Sequence, residues 1–238
     1  SKMNKKGNVL AIGIMFFLFA MISFVTGLQN PMGVIAKAQF GATNLMSQLG
    51  NAANFIAYAF MGLPAGFLLK GKGYKFTALA AVTVGFIGVG ISYLSGVYSS
   101  FVIYLLGAFV SGFSMCMLNT VVNPMLNLLG GGGNRGNQLV QIGGTFNSLS
   151  GTLTPMLVGS LIGTVTKSTA MTDVDLVLYI AMGVFAATFI VLSFVPFVEP
   201  EQETSNVKVK ELFKYKHLVF GVCAIFCYVG VEVGTPSI

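Results

Sequence analysis

The chain has 238 residues, 55% of them hydrophobic and only 8% charged, with a mean hydropathy of +0.82. A soluble globular domain carries about a quarter charged residues, so this composition excludes that class. The net charge of +6 is explained by where the cations sit along the chain and does not mark a nucleic-acid partner. Apolar runs and breakers, taken from the N-terminus, predict seven membrane spans of roughly 20 residues or more. They are Val9–Ala36, Leu45–Leu69, Phe76–Ser95, Phe101–Leu129, Gln138–Val165, Leu176–Val198 and Leu218–Ile238. From Asn8 to Ala36 and from Phe76 to Asn134 there is no Asp, Glu, Lys or Arg. The first run lacks a small-residue cleavage site after it, so it reads as a retained helix. The connections Lys70–Lys75, Gly96–Ser100 and Gly130–Asn137 are short, whereas Glu199–His217 is acidic and then basic and reads as a linker. The predicted class is an all-α membrane protein in three parts. A six-helix bundle covers 1–198, a cytoplasmic linker covers 199–217, and a further helix covers 218–238.

Orientation follows from the positive-inside bias of short loops. With the N-terminus in the cytoplasm, Lys2, Lys5, Lys6, Lys70, Lys72, Lys75, Arg135, Lys208, Lys210, Lys214 and Lys216 all lie inside. Only Lys37 and Lys167 lie outside, with Asp173 and Asp175 on the outer face just before the sixth span. The expected location is therefore the cytoplasmic (inner) membrane, N-terminus in, with the lipid bilayer as surroundings.

Asn30-Pro31-Met32 in span 1 recurs as Asn123-Pro124-Met125 in span 4, each about 22 residues into its apolar run. Proline removes a backbone hydrogen bond and frees a carbonyl, and an adjacent asparagine needs a polar partner where water is scarce. Spans 2 and 5 match as well: Asn54 precedes Pro64 and Gly66, and Asn147 precedes Pro155 and Gly159. An offset of three spans inverts the second copy in the membrane. The pattern predicts a 3+3 inverted repeat, with polar breaks facing a cavity.

Six spans in that arrangement, then a long cytoplasmic linker and a new span, resemble the first half of a major facilitator superfamily transporter. Pro64-Ala65-Gly66-Phe67-Leu68-Leu69-Lys70 with Gly73-Tyr74-Lys75 resembles the basic signature between spans 2 and 3 of that superfamily, with Lys70 in place of its usual aspartate. Gly144-Thr145-Phe146-Asn147-Ser148, Asn119-Thr120-Val121-Val122-Asn123-Pro124 and Phe226-Cys227-Tyr228-Val229-Gly230 are similar to the fucose permease branch, the fucose–galactose–proton symporters. The resemblance implies a permease moving a neutral monosaccharide such as fucose, glucose or galactose by alternating access, with H+ or Na+ as a possible coupling ion. It implies no enzyme, cofactor or metal. It also implies twelve spans, so the missing C-terminal half of the same protein is an expected partner.

A sugar presents hydroxyls and no charge, so its site needs amides that donate and accept, together with an aromatic face. The candidate substrate-binding set is Gln29, Asn30, Asn51, Asn54, Tyr58, Asn119, Asn123, Gln141 and Asn147. Asn119 and Asn123 are four apart and share a helix face, and Asn51 and Asn54 share one with Tyr58 a turn further on. Relatives in the branch carry proton-coupling carboxylates where this chain has Asn30 and Asn119, and amides do not titrate. Glu232, the one acid within a span, is the candidate for ion coupling. Lys70, Lys75 and Arg135 are candidates for an inner gating loop. Gly130-Gly131-Gly132-Gly133-Asn134-Arg135 lacks a following Gly-Lys-Ser/Thr and reads as a turn, not a phosphate cradle. The glycines at 85, 88, 90, 159 and 163 read as close helix packing. The three cysteines read as small buried residues with no disulfide framework, and His217 as interfacial. A drug carrier or another small neutral solute is the alternative within the superfamily. A seven-helix retinal receptor fits poorly, because span 7 has no lysine for a Schiff base.

Overall fold

The structure, a computed structural model, describes residues 5–41, 43–131, 133–163 and 171–195, with scattered helical positions between 216 and 227. The ordered elements are α1 (Lys5–Gln39), α2 (Asn44–Val97), α3 (Phe101–Leu129), α4 (Gly133–Ile162), a short 3-10 turn (Met171–Val174) and α5 (Asp175–Phe194). Contacts divide the chain into two compact units, Ser1–Pro200 and Glu201–Ile238. Most of the predicted linker and seventh span lies outside the described residues, and so does Glu232.

The charge-free windows became helices because a backbone in lipid must satisfy its own hydrogen bonds. The fourth predicted span matches α3 residue for residue. Spans 2 and 3 are the two arms of α2, which break at Gly73 (φ 86°, ψ 177°) inside the expected connection Lys70–Lys75, with helix continuing closer to that residue on both sides than expected. Glycine reaches that left-handed conformation without a Cβ clash, so one residue makes the reversal that a six-residue loop was expected to make. The apolar part of α2, Ile56–Val97, has 42 residues. At 1.5 Å per residue that is about 63 Å, two crossings of a roughly 30 Å core. Thr43 and Ser100 open α2 and α3 by accepting from the amides of Met46 (3.2 Å) and Ile103 (3.3 Å), which are N-terminal caps.

Four stretches among the described residues are long and apolar enough to cross a membrane: Val9–Gln39, Ile56–Val97, Phe101–Leu129 and Thr172–Phe194. Helix α4 is not among them. It forms where span 5 was expected, beginning at Gly133, but its amides and hydroxyls lower its hydropathy.

Packing relies on small residues, because lipid leaves no hydrophobic drive between helices and close van der Waals contact takes its place. The second arm of α2 runs against α3 with Ser92 facing Gly107, Gly88 facing Ser111 and Gly85 facing Ser114. This is an antiparallel register, tied by Ser114 Oγ donating to the Ala81 carbonyl at 2.7 Å. Helices α1 and α4 run parallel: Phe19 packs on Gly143, Ser23 on Gly151 and Gly27 on Thr154. Ser150 Oγ donates to the Ala20 carbonyl at 2.7 Å in the same seam. Pro31 and Pro155 each lie four residues beyond a glycine of this seam, Gly27 and Gly151, whose carbonyls they release from the helical ladder. Of the glycines expected to pack closely, 85 and 88 do. A Cβ on Gly90 would only reach Met182 Sδ at 3.9 Å, and Gly159 and Gly163 face open space. Gly163 instead ends α4 at φ 72°.

Candidate functional site

Pro31, Pro64, Pro124 and Pro155 each sit inside a helix, one in each of α1 to α4. Asn119 and Asn123 lie on the turn before the break in α3, both half-buried. Asn123 Nδ2 donates to the Asn119 side-chain oxygen and to the Asn119 carbonyl, both at 3.3 Å. Asn119 Nδ2 donates back to the Met115 carbonyl at 3.3 Å. The half-buried Tyr58 of α2 lies with its hydroxyl beside the side chains of Asn119 and Cys116. Three of the nine predicted binding residues therefore form one polar chain across α2 and α3. The i, i+4 spacing and the placement of Tyr58 one turn beyond Asn54 carried that information.

The chain extends through groups that the search for amides missed. Thr120 Oγ1 donates to the Cys116 carbonyl at 2.8 Å. From α1, Thr26 Oγ1 donates to its own Ile22 carbonyl at 2.9 Å and reaches Met115 Sδ at 3.0 Å. Cys116 is free and buried, as expected, and lies beside Tyr58. Cys223 and Cys227 are free and exposed, contrary to the expectation of burial.

The predicted residues on α4 are placed differently. Asn147 is half-buried and Gln141 is exposed, and among the described residues no hydrogen bond joins either to the Tyr58–Asn119–Asn123 chain. Gln141 shares an exposed polar stripe with Thr145, Ser148 and Thr152, spaced four, three and four apart. Its carbonyl accepts from Thr145 Oγ1 at 3.2 Å, and Ser148 repeats that arrangement with Thr152 at 3.1 Å. The side chains of Gln29, Asn30, Asn51 and Asn54 lie outside the described residues, although their backbones belong to α1 and α2.

Two grooves among the described residues differ from the expected amide-lined cavity. One, of about 580 Å³, lies between α1 and α4 and is walled by Phe24, Phe146, Leu153 and Leu157 among others. The other, of about 490 Å³, lies between α1 and α5. Both are apolar, and of the predicted residues whose side chains are described, Tyr58, Asn119, Asn123, Gln141 and Asn147, none lines either.

The basic candidates sit at one end of the bundle. Lys75 Nζ donates to the Ser193 carbonyl at 3.0 Å, in the last turn of α5, where a cation also complements the helix dipole. Lys70 and Arg135 are exposed, the latter in the first turn of α4. The glycine run before Arg135 is a turn through Gly131 and Gly133 at φ 81° and 59°. Among the described residues there is no cluster of His, Cys, Asp or Glu that could hold a metal ion.

Comparison with known proteins gives the family. The profile described as Major Facilitator Superfamily matches residues 13–238. A Helicobacter pylori protein is 31% identical over 248 residues, covering 99% of this chain and 60% of that protein. A glucose/galactose transporter of Brucella abortus is 30% identical over 241 residues, covering 98% and 58%. The chain thus spans about three-fifths of the length of these relatives. A crystal structure of the Escherichia coli fucose:proton symporter superposes with a TM-score of 0.66 at 19% identity, over 93% of this chain and 60% of that one. A second crystal structure, of a superfamily transporter in the outward conformation, gives 0.75 at 18% identity, over 95% and 61%.

Proposed function

This chain belongs to the Major Facilitator Superfamily, and we propose that it serves a permease that carries a neutral monosaccharide, of the glucose, galactose or fucose kind, by alternating access. It is a multi-pass membrane protein of a transporter family and not an enzyme. The observation that carries the sugar reading is the uncharged polar chain Tyr58–Asn119–Asn123. It offers amide donors, amide acceptors and one aromatic ring, with no carboxylate anywhere from residue 1 to residue 172. Charged organic substrates need an embedded counter-charge, whereas hydroxyls need only such neutral partners. The names of the relatives point the same way.

Within this reading, the proline breaks of α1 and α3 belong to one inverted 3+3 repeat, and Gln29, Asn30, Asn51, Asn54, Gln141 and Asn147 complete the lining. Lys70, Lys75 and Arg135 form the inner gate region, on the cytoplasmic side of the inner membrane. Glu232 is the coupling group, for a proton or a sodium ion.

Equilibrium binding of radiolabelled hexoses to the purified protein tests the substrate class. Wild type is expected to bind at least one neutral hexose. Asn119→Leu, which leaves Asn123 without its side-chain acceptor, is expected to weaken binding about tenfold, the loss of roughly one hydrogen bond of 1–1.5 kcal/mol. Failure with every neutral hexose turns the reading to another small neutral solute. Unchanged affinity in Asn119→Leu removes the site.

A further inference from the structure

The groove between α1 and α5 has walls of one kind and a mouth of another. Val9, Leu10, Gly13 and Phe17 line it from α1, and Val184 and Leu192 are among its lining on α5. Val9 is 71% exposed and Phe17 48%. Gly13 leaves a notch, because a Cβ there would have nothing within 4 Å. From Val9 to Phe17 the groove follows α1 for about 12 Å at 1.5 Å per residue, against roughly 15 Å for one leaflet of a 30 Å core.

Cations mark one end of it, at the start of α1 and, from α2, at the last turn of α5. Lys5 and Lys6 occupy the first turn of α1, immediately before Val9 and Leu10, and that turn holds no acidic residue. On the other wall, Lys75 Nζ lies 3.0 Å from the carbonyl of Ser193, the residue after Leu192. The N-terminus of α1 adds the positive end of a helix dipole. Asp173 and Asp175 stand at the opposite end of α5, about 30 Å away along its 20 residues. The chain's other acids near this end in sequence are Glu199, Glu201, Glu203 and Glu211, all after α5.

We propose that the α1–α5 groove is a binding site for an anionic phospholipid. One acyl chain lies along Val9–Phe17 and Val184–Leu192, and the phosphate sits at the end marked by Lys5, Lys6 and Lys75. The apolar walls supply contact for the tail without selecting a headgroup. Selection comes from the lysines, each worth about fivefold toward an anionic surface. The site shares no residue with the Tyr58–Asn119–Asn123 cluster, and it stands whether or not a hexose is the cargo.

The chain contains no tryptophan, so Phe17→Trp places a single fluorophore in the groove with little change of shape. The full chain with this substitution, in detergent micelles, is titrated with phosphatidylglycerol or phosphatidylcholine brominated on the acyl chain. Brominated phosphatidylglycerol is expected to quench at a mole fraction at least fivefold lower than brominated phosphatidylcholine. Adding Lys5→Gln and Lys6→Gln is expected to bring the two within twofold, and a Phe86→Trp reporter on α2 is expected to show no preference. Val191→Trp replaces the reporter if Phe17→Trp loses helical circular dichroism. Equal quenching by both lipids overturns the proposal, as does a preference that survives the double lysine substitution. A preference that appears only after Glu199, Glu201 and Glu203 are changed to Gln also overturns it, since the chain's own acidic segment then occupies the cations.

Discussion

An asparagine four residues from another on a helix can fold its amide back onto its neighbour, and Asn123 does so twice, at 3.3 Å to each oxygen of Asn119. The pair is oriented before any ligand arrives, which reduces the ordering cost of binding. What it lacks is a titratable proton. No Asp or Glu occurs between residues 1 and 172, so that stretch has no carboxylate to couple sugar movement to an ion, and the proposed burden falls on Glu232. An ionisable group within an apolar span is costly to keep without a function. Glu232→Gln is therefore expected to exchange hexose across a membrane while its accumulation ratio falls to about one. Proteoliposomes with an imposed proton or sodium gradient measure it, and sustained concentrative uptake by the variant ends the coupling hypothesis. At this scale spacing anticipates that Tyr58, Asn119 and Asn123 lie together. It does not report which way Gln141 faces, because the direction of α4 is decided by Gly143, Ser150 and Thr154 packing on α1.

Helices here meet through what their side chains lack. At Gly88 of α2 an added Cβ would lie 2.6 Å from Ser111 Oγ and 2.9 Å from the Ser111 backbone nitrogen. The hydroxyl can rotate away, but the backbone cannot, so Gly88→Ala is expected to cost about 1–3 kcal/mol as overpacking. At Gly66, in the same helix, nothing lies within 4 Å of the new methyl group. Gly66→Ala should stabilise by about 0.5–1 kcal/mol through backbone entropy alone. Thermal unfolding of both variants in one detergent checks the contrast, and equal shifts would refute the seam. Element boundaries were legible wherever charges punctuate apolar runs: α1 and α3 follow from their charge-free windows. The break between spans 2 and 3 was legible from Lys70, Lys72 and Lys75, but its narrowing to Gly73 alone was not, since three charges read as a longer loop. Lys75, a residue of the proposed gate region, donates to the end of α5. That contact ties the turn to a helix of the same bundle, whatever gating role the region has.

The relative directions of the helices collect the charges of the whole bundle. Helices α1 and α4 are parallel, and the second arm of α2 is antiparallel to α3. Lys75 then touches the C-terminal turn of α5, while Tyr179, near the start of α5, meets Tyr93 near the end of α2 at 2.8 Å between hydroxyls. At the end shared with Tyr93, Gln39 of α1 donates to Ser99 Oγ at 3.3 Å. It follows that Lys5, Lys6, Lys70, Lys72, Lys75 and Arg135 share one end, and that Lys37, Asp173 and Asp175 share the other. Sequence reading reached this division by assuming alternating spans, and the register of the seams reaches it without that assumption. A bilayer-spanning protein retains such a cationic end in the cytoplasm, which is the proposed orientation. The check is vectorial labelling in a background with Cys223 and Cys227 replaced by Ser, Cys116 being buried. Arg135→Cys is expected to react with a membrane-impermeant maleimide at least tenfold faster in inverted vesicles than in intact cells, and Asp173→Cys is expected to show the reverse. Equal labelling from one side would mean that the two ends do not lie across a bilayer. The opposite pattern would place the cations outside and overturn the orientation while leaving the helix register intact.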